Sequence, residues 1–186
     1  MDQDLLVPRL MAGDALLLRP WESSDADLDL VREAAEDPYI PLVTSVPPAY
    51  SDEAGQAFLR RQWDNAASGG GYPFVIVRLE DNRSVGSIGL RLTEIDRGRG
   101  WLGYWVAASA RGHGIAATAL RAITAWGLSD LQIPRLQLCV EPRNTASIRT
   151  AERAGYQREG LLRRWQQVGE ERQDMFMYSI LDTDPR

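Results

Sequence analysis

The chain of 186 residues contains a single cysteine, Cys139, and a single histidine, His113. One cysteine can form neither an internal disulfide nor a cysteine-based zinc site. One histidine leaves little room for a His-rich metal centre or a Ser-His-Asp triad. We therefore expect no metal, and a chemistry that takes its reactivity from a cofactor.

Dense basic clusters and long apolar runs are also missing. The formal net charge is −5, and no window carries the Lys/Arg cluster that binding to a phosphate backbone needs, so we expect no nucleic acid partner. The longest apolar stretches have only the length of a strand, and the first residues carry acids where a secretory signal would have a basic flank. We expect no contact with a membrane and a cytoplasmic location.

The composition that remains is ordinary for a globular protein, with 44% hydrophobic and 25% charged residues. At this length we predict one domain over 1–186. Residue patterns predict the element order β-α-α-β-β-β-α-β-α-β-β, which is an α+β layout with a mostly antiparallel sheet and one parallel crossover. About seven strands and about four helices are expected.

Local signals give the bounds of these elements. Strands are predicted over 15–20 and 134–140, an antiparallel meander over 72–107, and two more strands at the end of the chain. Segment 38–50 holds four prolines and is predicted to be an irregular loop. The predicted helices cover 24–36, 52–66, 112–128, and a short span that begins at Asn144 and closes at Gly155.

The turn R-G-H-G-I-A-A at 111–117 lies between the last strand of the meander and a helix. The first turn of a helix has unpaired N–H groups and the positive end of the helix dipole, and glycine lets an anion touch the backbone. Arg111, Gly114 and Ala116 therefore predict a pyrophosphate site, with Gly112 as a second glycine.

A dinucleotide fingerprint is the competing interpretation of this turn. Gly112, Gly114 and Ala117 also match G-x-G-x-x-A, with Glu141 as the ribose acid, and would indicate a nicotinamide-dependent oxidoreductase. That fingerprint belongs to the first βαβ unit of a parallel sheet, whereas about a hundred residues with a different pattern precede it here. The further βαβ units of such a sheet do not follow.

The sequence as a whole resembles the GNAT superfamily of acetyl-CoA-dependent N-acetyltransferases, specifically its RimJ/RimL-like branch. The resemblance implies a twisted sheet with splayed central parallel strands, and acetyl-CoA as cosubstrate. The matching segments run in family order from about residue 16 to 181: L-L-L-R-P with S-D-A, G-Y-W-V, R-G-H-G-I-A, P-R-L-Q-L-C-V, N-T-A-S-I-R, A-G-Y, E-G-L-L-R and D-M-F-M-Y-S-I-L.

The resemblance also implies how CoA is held. Backbone N–H groups of the turn would bind the pyrophosphate, the end of the preceding strand would pair with the pantetheine arm, Asn144 would touch that arm, and Ser147 would face the sulfur. His113 in the turn is either a phosphate ligand or a solvent-facing loop residue. The expected CoA-binding residues are Trp105, Val106, Ala107, Arg111, Gly112, His113, Gly114, Ile115, Ala116, Asn144 and Ser147.

The catalytic groups follow the family pattern only in part. Many members use a tyrosine seven residues after the asparagine, where this chain has Ala151, so Ser147 is the candidate proton donor; alternatively it only bonds its own helix. The family often has a glutamate just before G-Y-W, where this chain has Trp101. Glu141 and Glu159 are possible helpers or simply solvated or ion-paired carboxylates, and a water chain could also deprotonate an α-amine with a pKa near 8.

The acceptor is expected to be a primary amine, most plausibly the N-terminal α-amine of a protein or peptide. Trp101 and Tyr104 could line the channel for the acceptor amine or could simply pack in the sheet. Small amines are an alternative, because one fold serves many acceptors. A non-catalytic acyl-CoA-binding module is another, given the missing glutamate and tyrosine. Either a monomer or a homodimer is expected.

Overall fold

The computed structural model describes residues 6–184 and follows the predicted element order, with one strand and one helix added. The eight strands are β1 (Leu10–Ala12), β2 (Leu16–Pro20), β3 (Gly71–Arg78), β4 (Arg83–Glu94), β5 (Arg99–Val106), β6 (Arg135–Val140), β7 (Gln157–Val168) and β8 (Glu171–Leu181). The α-helices are α1 (Asp25–Ala35), α2 (Ile40–Val43), α3 (Asp52–Ala67), α4 (Ile115–Ser129) and α5 (Thr145–Arg153), and 3₁₀ turns cover Ile95–Arg97 and Ala108–Ala110.

All eight strands form one sheet in the order β1-β2-β3-β4-β5-β6-β8-β7. β5 and β6 are the parallel pair, joined through α4, and the other neighbours are antiparallel. This confirms the expected α+β sheet and its central crossover. A doubly wound nicotinamide-binding sheet needs several parallel neighbours, so that alternative is wrong.

Helices cover both faces of the sheet. On one face, Leu120 and Ile123 of α4 are fully buried against β3 to β6. On the other face, Val31 of α1 and Leu59 of α3 are fully buried in a second cluster. It includes the β3 side chains that point to this face, among them Val75. Seven of the eight positions of β3 are consequently buried, as expected of a strand covered on both faces. No helix in residues 6–184 is long and apolar enough to cross a bilayer.

Three details differ from the prediction. β1 was not expected; it is a three-residue strand that pairs with β2 at the edge of the sheet. Segment 38–50 was expected to be irregular but contains α2, because the Asp37 carboxylate accepts from the N–H groups of Tyr39 and Ile40, and Pro41 is tolerated in a first helical turn. α4 begins at Ile115 rather than 112, because the two preceding glycines are left-handed.

Candidate active site

β5 and β6 separate part-way along their length. They pair only from Arg99 to Trp101 on β5, although β5 continues to Val106 and β6 to Val140. Beyond that point each strand keeps only its outer neighbour, β4 for β5 and β8 for β6. The predicted splayed pair is therefore present, and it leaves a gap in the middle of the sheet.

Backbone groups of β5 point into this gap. The N–H of Ala107 donates to Val85 O at 3.0 Å, so this pair is hydrogen-bonded across β4 and β5. Because the hydrogen bonds of an antiparallel pair alternate, Tyr104 and Val106 direct their N–H and C=O groups away from β4. The Val106 carbonyl accepts from Arg111 Nε at 3.0 Å, as that direction requires. Apart from the Val106 carbonyl, these backbone groups face the gap and can bind an extended ligand.

A cavity of about 710 Å³ opens on the side of the gap that faces α5 and the turn at 111–117. We call it the turn cavity; the turn at 111–117, the end of β5, α2 and the outward side of α5 line it. Its rim carries positive charge from Arg143, Arg149 and Arg153. A volume of this size suits a long, flexible ligand with an anionic end.

The turn itself meets the requirements of an anion site. Gly112 and Gly114 have φ angles of +86° and +73°. A Cβ at either position would meet nothing within 4 Å, so an anion can reach the backbone from the solvent. Gly114 caps α4 without a side-chain hydrogen bond, which leaves the first N–H groups of the 15-residue helix available. The observed backbone therefore fits a pyrophosphate.

The Arg111 side chain makes hydrogen bonds within the protein that hold the turn in place. One guanidinium nitrogen donates to Asp37 Oδ2 at 2.7 Å, while Nε donates to the Val106 carbonyl. Burial would raise the pKa of Asp37, but hydrogen bonds from Ile40, Tyr39 and Arg111 outweigh it and the pKa is lowered. The arginine thus ties β5 and the turn to the segment that precedes α2.

Ser147 and Tyr104 face each other where the gap meets α5. Asn144 caps α5 by accepting from the Ser147 N–H at 3.0 Å. The Ser147 hydroxyl lies 2.8 Å from the Tyr104 hydroxyl, which also donates to the Ser147 carbonyl at 3.2 Å. Burial raises the pKa of Tyr104 to about 12, so the phenol keeps its proton at neutral pH. Both hydroxyl groups of the pair are therefore protonated next to the gap.

Glu141 lies in the turn cavity, where only Oε2 of its carboxylate accepts a hydrogen bond from a described residue. Oε2 accepts from the Tyr39 hydroxyl at 2.8 Å, and Oε1 is ion-paired with Arg143. The side chain is 2% exposed. Burial and then the Glu141 hydrogen bond raise the pKa of Tyr39 to about 12. The pairing ties α2 to the end of β6, and a proton-accepting role for Glu141 stays a prediction.

A second cleft of about 930 Å³ opens on the opposite side of the gap. We call it the sheet cleft; its lining comes from β4, β5, β6, α3 and the β7–β8 hairpin, including Trp165. Gly89 and Gly103 are direct partners across β4 and β5, and a Cβ at Gly103 would meet nothing within 4 Å. The two glycines leave this part of the floor of the cleft without side chains.

The two spaces meet at the gap. Six residues line both of them: Tyr39, Val43, Tyr104, Trp105, Asn144 and Ser147. A ligand in the turn cavity and another in the sheet cleft would therefore approach each other across β5 from opposite sides. This is the geometry of a direct transfer between two bound molecules.

Glu94 is the acidic group of the sheet cleft. Its Oε2 accepts from Trp101 Nε1 at 2.7 Å and from Gln137 Nε2 at 3.3 Å, while Oε1 accepts from Arg99 at 3.3 Å. Among the described residues that line this cleft, Glu94 alone is acidic. The sequence pattern did not single it out, because its link to Trp101 depends on strand register.

The structure brings most of the predicted site residues together. Two expected CoA ligands lie outside both cavities: Ala107 is buried beside β4, and His113 is solvent-exposed, with Nδ1 3.4 Å from Ala110 O. Glu159 also lines neither cavity. The predicted residues that line the turn cavity are Tyr104, Trp105, Val106, Arg111, Gly112, Gly114, Ile115, Ala116, Glu141, Asn144 and Ser147, and Trp101 lines the sheet cleft.

Comparison with known families identifies the architecture. Residues 15–157 match the family model described as the acetyltransferase (GNAT) domain. The chain belongs to the GNAT acetyltransferase family. It is accordingly an acetyl-CoA-dependent N-acetyltransferase, which confirms the resemblance in its motifs. No group of His, Cys, Asp and Glu in residues 6–184 is arranged to hold a metal ion.

Individual relatives and solved structures match most of the chain. The uncharacterized N-acetyltransferase p20 of Bacillus licheniformis is 27% identical over 168 residues, 90% of this chain and 93% of the relative. The structure of Mycobacterium smegmatis RimJ in complex with CoA-disulfide has 28% identity and a TM-score of 0.79, covering 94% of this chain and 86% of RimJ. RimL, a ribosomal L7/L12 α-N-protein acetyltransferase in complex with coenzyme A, shares the fold at 20% identity and a TM-score of 0.82, over 95% of this chain and all of RimL.

Proposed function

We propose that this GNAT acetyltransferase transfers acetyl from acetyl-CoA to the α-amine at the N-terminus of a protein or peptide. The observation that carries the proposal is the sheet cleft, which is open, has a floor of two glycines, and reaches the gap from the side opposite the turn cavity. An extended chain end can lie on such a floor and present its first nitrogen to the gap. The RimL neighbour, described as an α-N-protein acetyltransferase, supports this acceptor class.

In this proposal the turn cavity holds acetyl-CoA. The free N–H groups that follow Gly114 bind the pyrophosphate, and the arginines of the rim add positive charge. The pantetheine arm lies along the backbone of Tyr104 and Val106, whose N–H groups face away from β4. A backbone N–H in this stretch then polarises the thioester carbonyl, as an oxyanion hole does.

The transfer needs one new bond and one broken bond. The neutral amine attacks the carbonyl carbon, the C–N bond forms, and the C–S bond breaks. Ser147 gives its hydroxyl proton to the departing thiolate, and Tyr104 replaces that proton through their 2.8 Å contact. The attacking nitrogen loses a proton that restores the Tyr104–Ser147 pair through water, so an ammonium substrate releases one net proton to the solvent.

Binding is tested before turnover. Thermal unfolding is measured with acetyl-CoA, CoA or NAD, because a ligand of the folded state raises stability by about 2.7 kcal/mol at a hundredfold excess over its Kd. We expect stabilisation by acetyl-CoA and CoA and none by NAD. Stabilisation by NAD alone would contradict the assignment of the turn cavity.

Turnover is then measured as thiol release from acetyl-CoA. The acceptors are short peptides with a free N-terminal Ser or Ala, the same peptides with a blocked N-terminus, and a panel of small primary amines. We expect release only with the free peptides. Release with small amines alone would favour a small-molecule acetyltransferase, and CoA binding without release on any amine would favour a binding module. A cytoplasmic location and a monomeric or homodimeric state stay predictions.

A further inference from the structure

The Glu94 carboxylate lies at the point where the central strands separate. Trp101 of β5 and Gln137 of β6 are the last paired residues before the gap. Their side chains are on the same face, and both donate to Glu94 Oε2, at 2.7 Å and 3.3 Å. Two neutral donors from two strands therefore hold this carboxylate at the closed end of the gap, on the side of the sheet cleft.

Trp101 is a β5 residue that contacts Glu94. Its indole N–H binds a carboxylate that the neighbouring strand supplies. We propose that Glu94 attracts the ammonium group of the acceptor and takes its proton through one or two water molecules. This inference rests on the proposed function, because it assigns a residue of the sheet cleft to the amine.

The Glu94 carboxylate can accept one more hydrogen bond beyond those that its neighbours donate. Arg99 donates to Oε1 at 3.3 Å, and Arg97 lies 3.9 Å from the same oxygen. Arg91, opposite Trp101 on β4, and Arg61 of α3 are the described cations that line the cleft itself. Three hydrogen bonds fill three of the roughly four lone-pair positions of a carboxylate. The Glu94 side chain is 29% exposed and lines the cleft, so the carboxylate can accept one further hydrogen bond.

The other carboxylates near the site have different partners. Glu141 accepts from Tyr39 through Oε2 and is ion-paired with Arg143 in the turn cavity, and it does not line the sheet cleft. Glu159 accepts from Arg135 and from Ser179. Glu94 is the carboxylate that an amine in the sheet cleft would meet.

The stretch of β5 from Trp101 to Tyr104 connects the region of Glu94 with the gap. Trp101 and Tyr104 are three residues apart on β5, about 10 Å at the usual rise of a strand. Gly103 lies between them and leaves open space above the backbone. The amine and one or two waters can span this distance. The ammonium loses one proton to Glu94 through that water, Glu94 releases this proton to the solvent, and the neutral amine then attacks the thioester.

The test compares Glu94→Gln with wild type in thiol release, using the Ser and Ala peptides at saturating acetyl-CoA. At pH 7 we expect kcat/KM for the peptide to fall by about a hundredfold, the lower range for loss of an acid–base group. The loss shrinks towards pH 9, because an α-amine with a pKa near 8 is then mostly neutral without help. Glu80→Gln, in the exposed β3–β4 turn, is the matched control and keeps wild-type kinetics.

Two further measurements separate this proposal from its alternatives. Stabilisation by acetyl-CoA is compared in wild type and Glu94→Gln, which shows that the variant is folded and that its turn cavity is intact. Glu94→Asp retains the charge on a shorter side chain and should recover part of the loss. An unfolded Glu94→Gln would leave Glu94→Asp to carry the comparison.

The outcomes are distinct. Equal kcat/KM in wild type and Glu94→Gln at both pH values overturns the role of Glu94 and leaves the peptide acceptor standing. Activity of wild type on small amines alone, lost in Glu94→Gln, supports Glu94 and contradicts the peptide acceptor. A wild-type enzyme that binds acetyl-CoA but acetylates no amine of either panel overturns both.

Discussion

The hydroxyl groups of Tyr104 and Ser147 lie 2.8 Å apart at the junction of the turn cavity and the sheet cleft. Tyr104 comes from β5 and Ser147 from the first turn of α5, so the contact joins the two sides of the gap. The position that carries a tyrosine in many relatives is Ala151 here, and it is fully buried in the core. A phenol from a different element thus stands beside the candidate proton donor.

Ser147→Ala should lower turnover without weakening the binding of acetyl-CoA. The variant removes the hydroxyl that we assign to the departing thiolate, and loss of a positioned acid typically costs at least a hundredfold in rate. The measurement is kcat from thiol release with a working acceptor, alongside thermal stabilisation by CoA. Thr145→Ala is the control, because this exposed residue of the same helical turn lines neither cavity. Full kcat in Ser147→Ala would remove serine from the mechanism.

Tyr104→Phe should have a smaller effect, because Ser147 can then recover its proton from water. The lost contact is one hydrogen bond between uncharged groups, which corresponds to about a three- to tenfold decrease in kcat. In the wild-type enzyme burial raises the pKa of Tyr104 to about 12. The phenol therefore stays protonated up to pH 10, and the rate should show no alkaline decline between pH 8 and pH 10. A decline in wild type that disappears in Tyr104→Phe would show that the phenol ionises earlier.

The turn at 111–117 could be predicted from the sequence, because its signal is local. Two glycines before a helix specify left-handed backbone and open N–H groups whatever the surrounding fold. The order of strands and helices was predictable for the same reason, since periodicity and proline are local properties. The prediction for segment 38–50 was wrong, because proline content does not show that the Asp37 carboxylate will bind the N–H groups of Tyr39 and Ile40 at the start of a short helix.

Contacts between distant parts of the chain could not be predicted in this way. The Tyr39–Glu141 hydrogen bond joins residues 102 positions apart. Glu94 meets Trp101 and Gln137 only because three strands take one particular register, which side-chain alternation alone does not fix. A single sequence therefore indicated that the family glutamate is absent, and the structure was needed to find the carboxylate nearby.

Gly103→Val should impair use of the acceptor and spare acetyl-CoA. The added side chain would rise from the floor of the sheet cleft, where a Cβ now meets open space. We expect KM for the peptide to rise at least tenfold, while stabilisation by CoA stays within error of wild type. Thiol release at varied peptide concentration measures the first, and thermal unfolding measures the second.

Gly160→Val is the matched control for this change. Gly160 lies on β7, is exposed, also has open space at its Cβ position, and lines neither cavity. Equal KM values for the two valine variants would show that the acceptor does not lie over Gly103. The sheet cleft would then lose its assignment, whereas the turn cavity would keep its own.

Glu159→Gln should change stability in a pH-dependent way and leave activity unchanged. The Glu159 carboxylate accepts from Arg135 at 2.8 and 2.6 Å and from the Ser179 hydroxyl at 2.7 Å. Hydrogen bonds from Arg135 and then Ser179 lower its pKa to about 2, against about 4.3 in an unfolded chain. A lowered pKa means that the folded state favours the ionised form, so the stabilisation is complete above pH 4.3 and is lost as the pH falls towards 2.

The size of this effect is limited by solvent. The Glu159 side chain is 44% exposed, so we expect at most about 1 kcal/mol at pH 7, or a decrease in Tm of about 2–4 °C for a chain of this size. Thermal unfolding of Glu159→Gln and wild type should therefore differ at pH 7 and converge near pH 2. Glu170→Gln, in the exposed β7–β8 turn, should match wild type throughout. A difference at pH 7 that persisted undiminished at pH 2 would mean that lost packing, and not the charge of Glu159, is responsible.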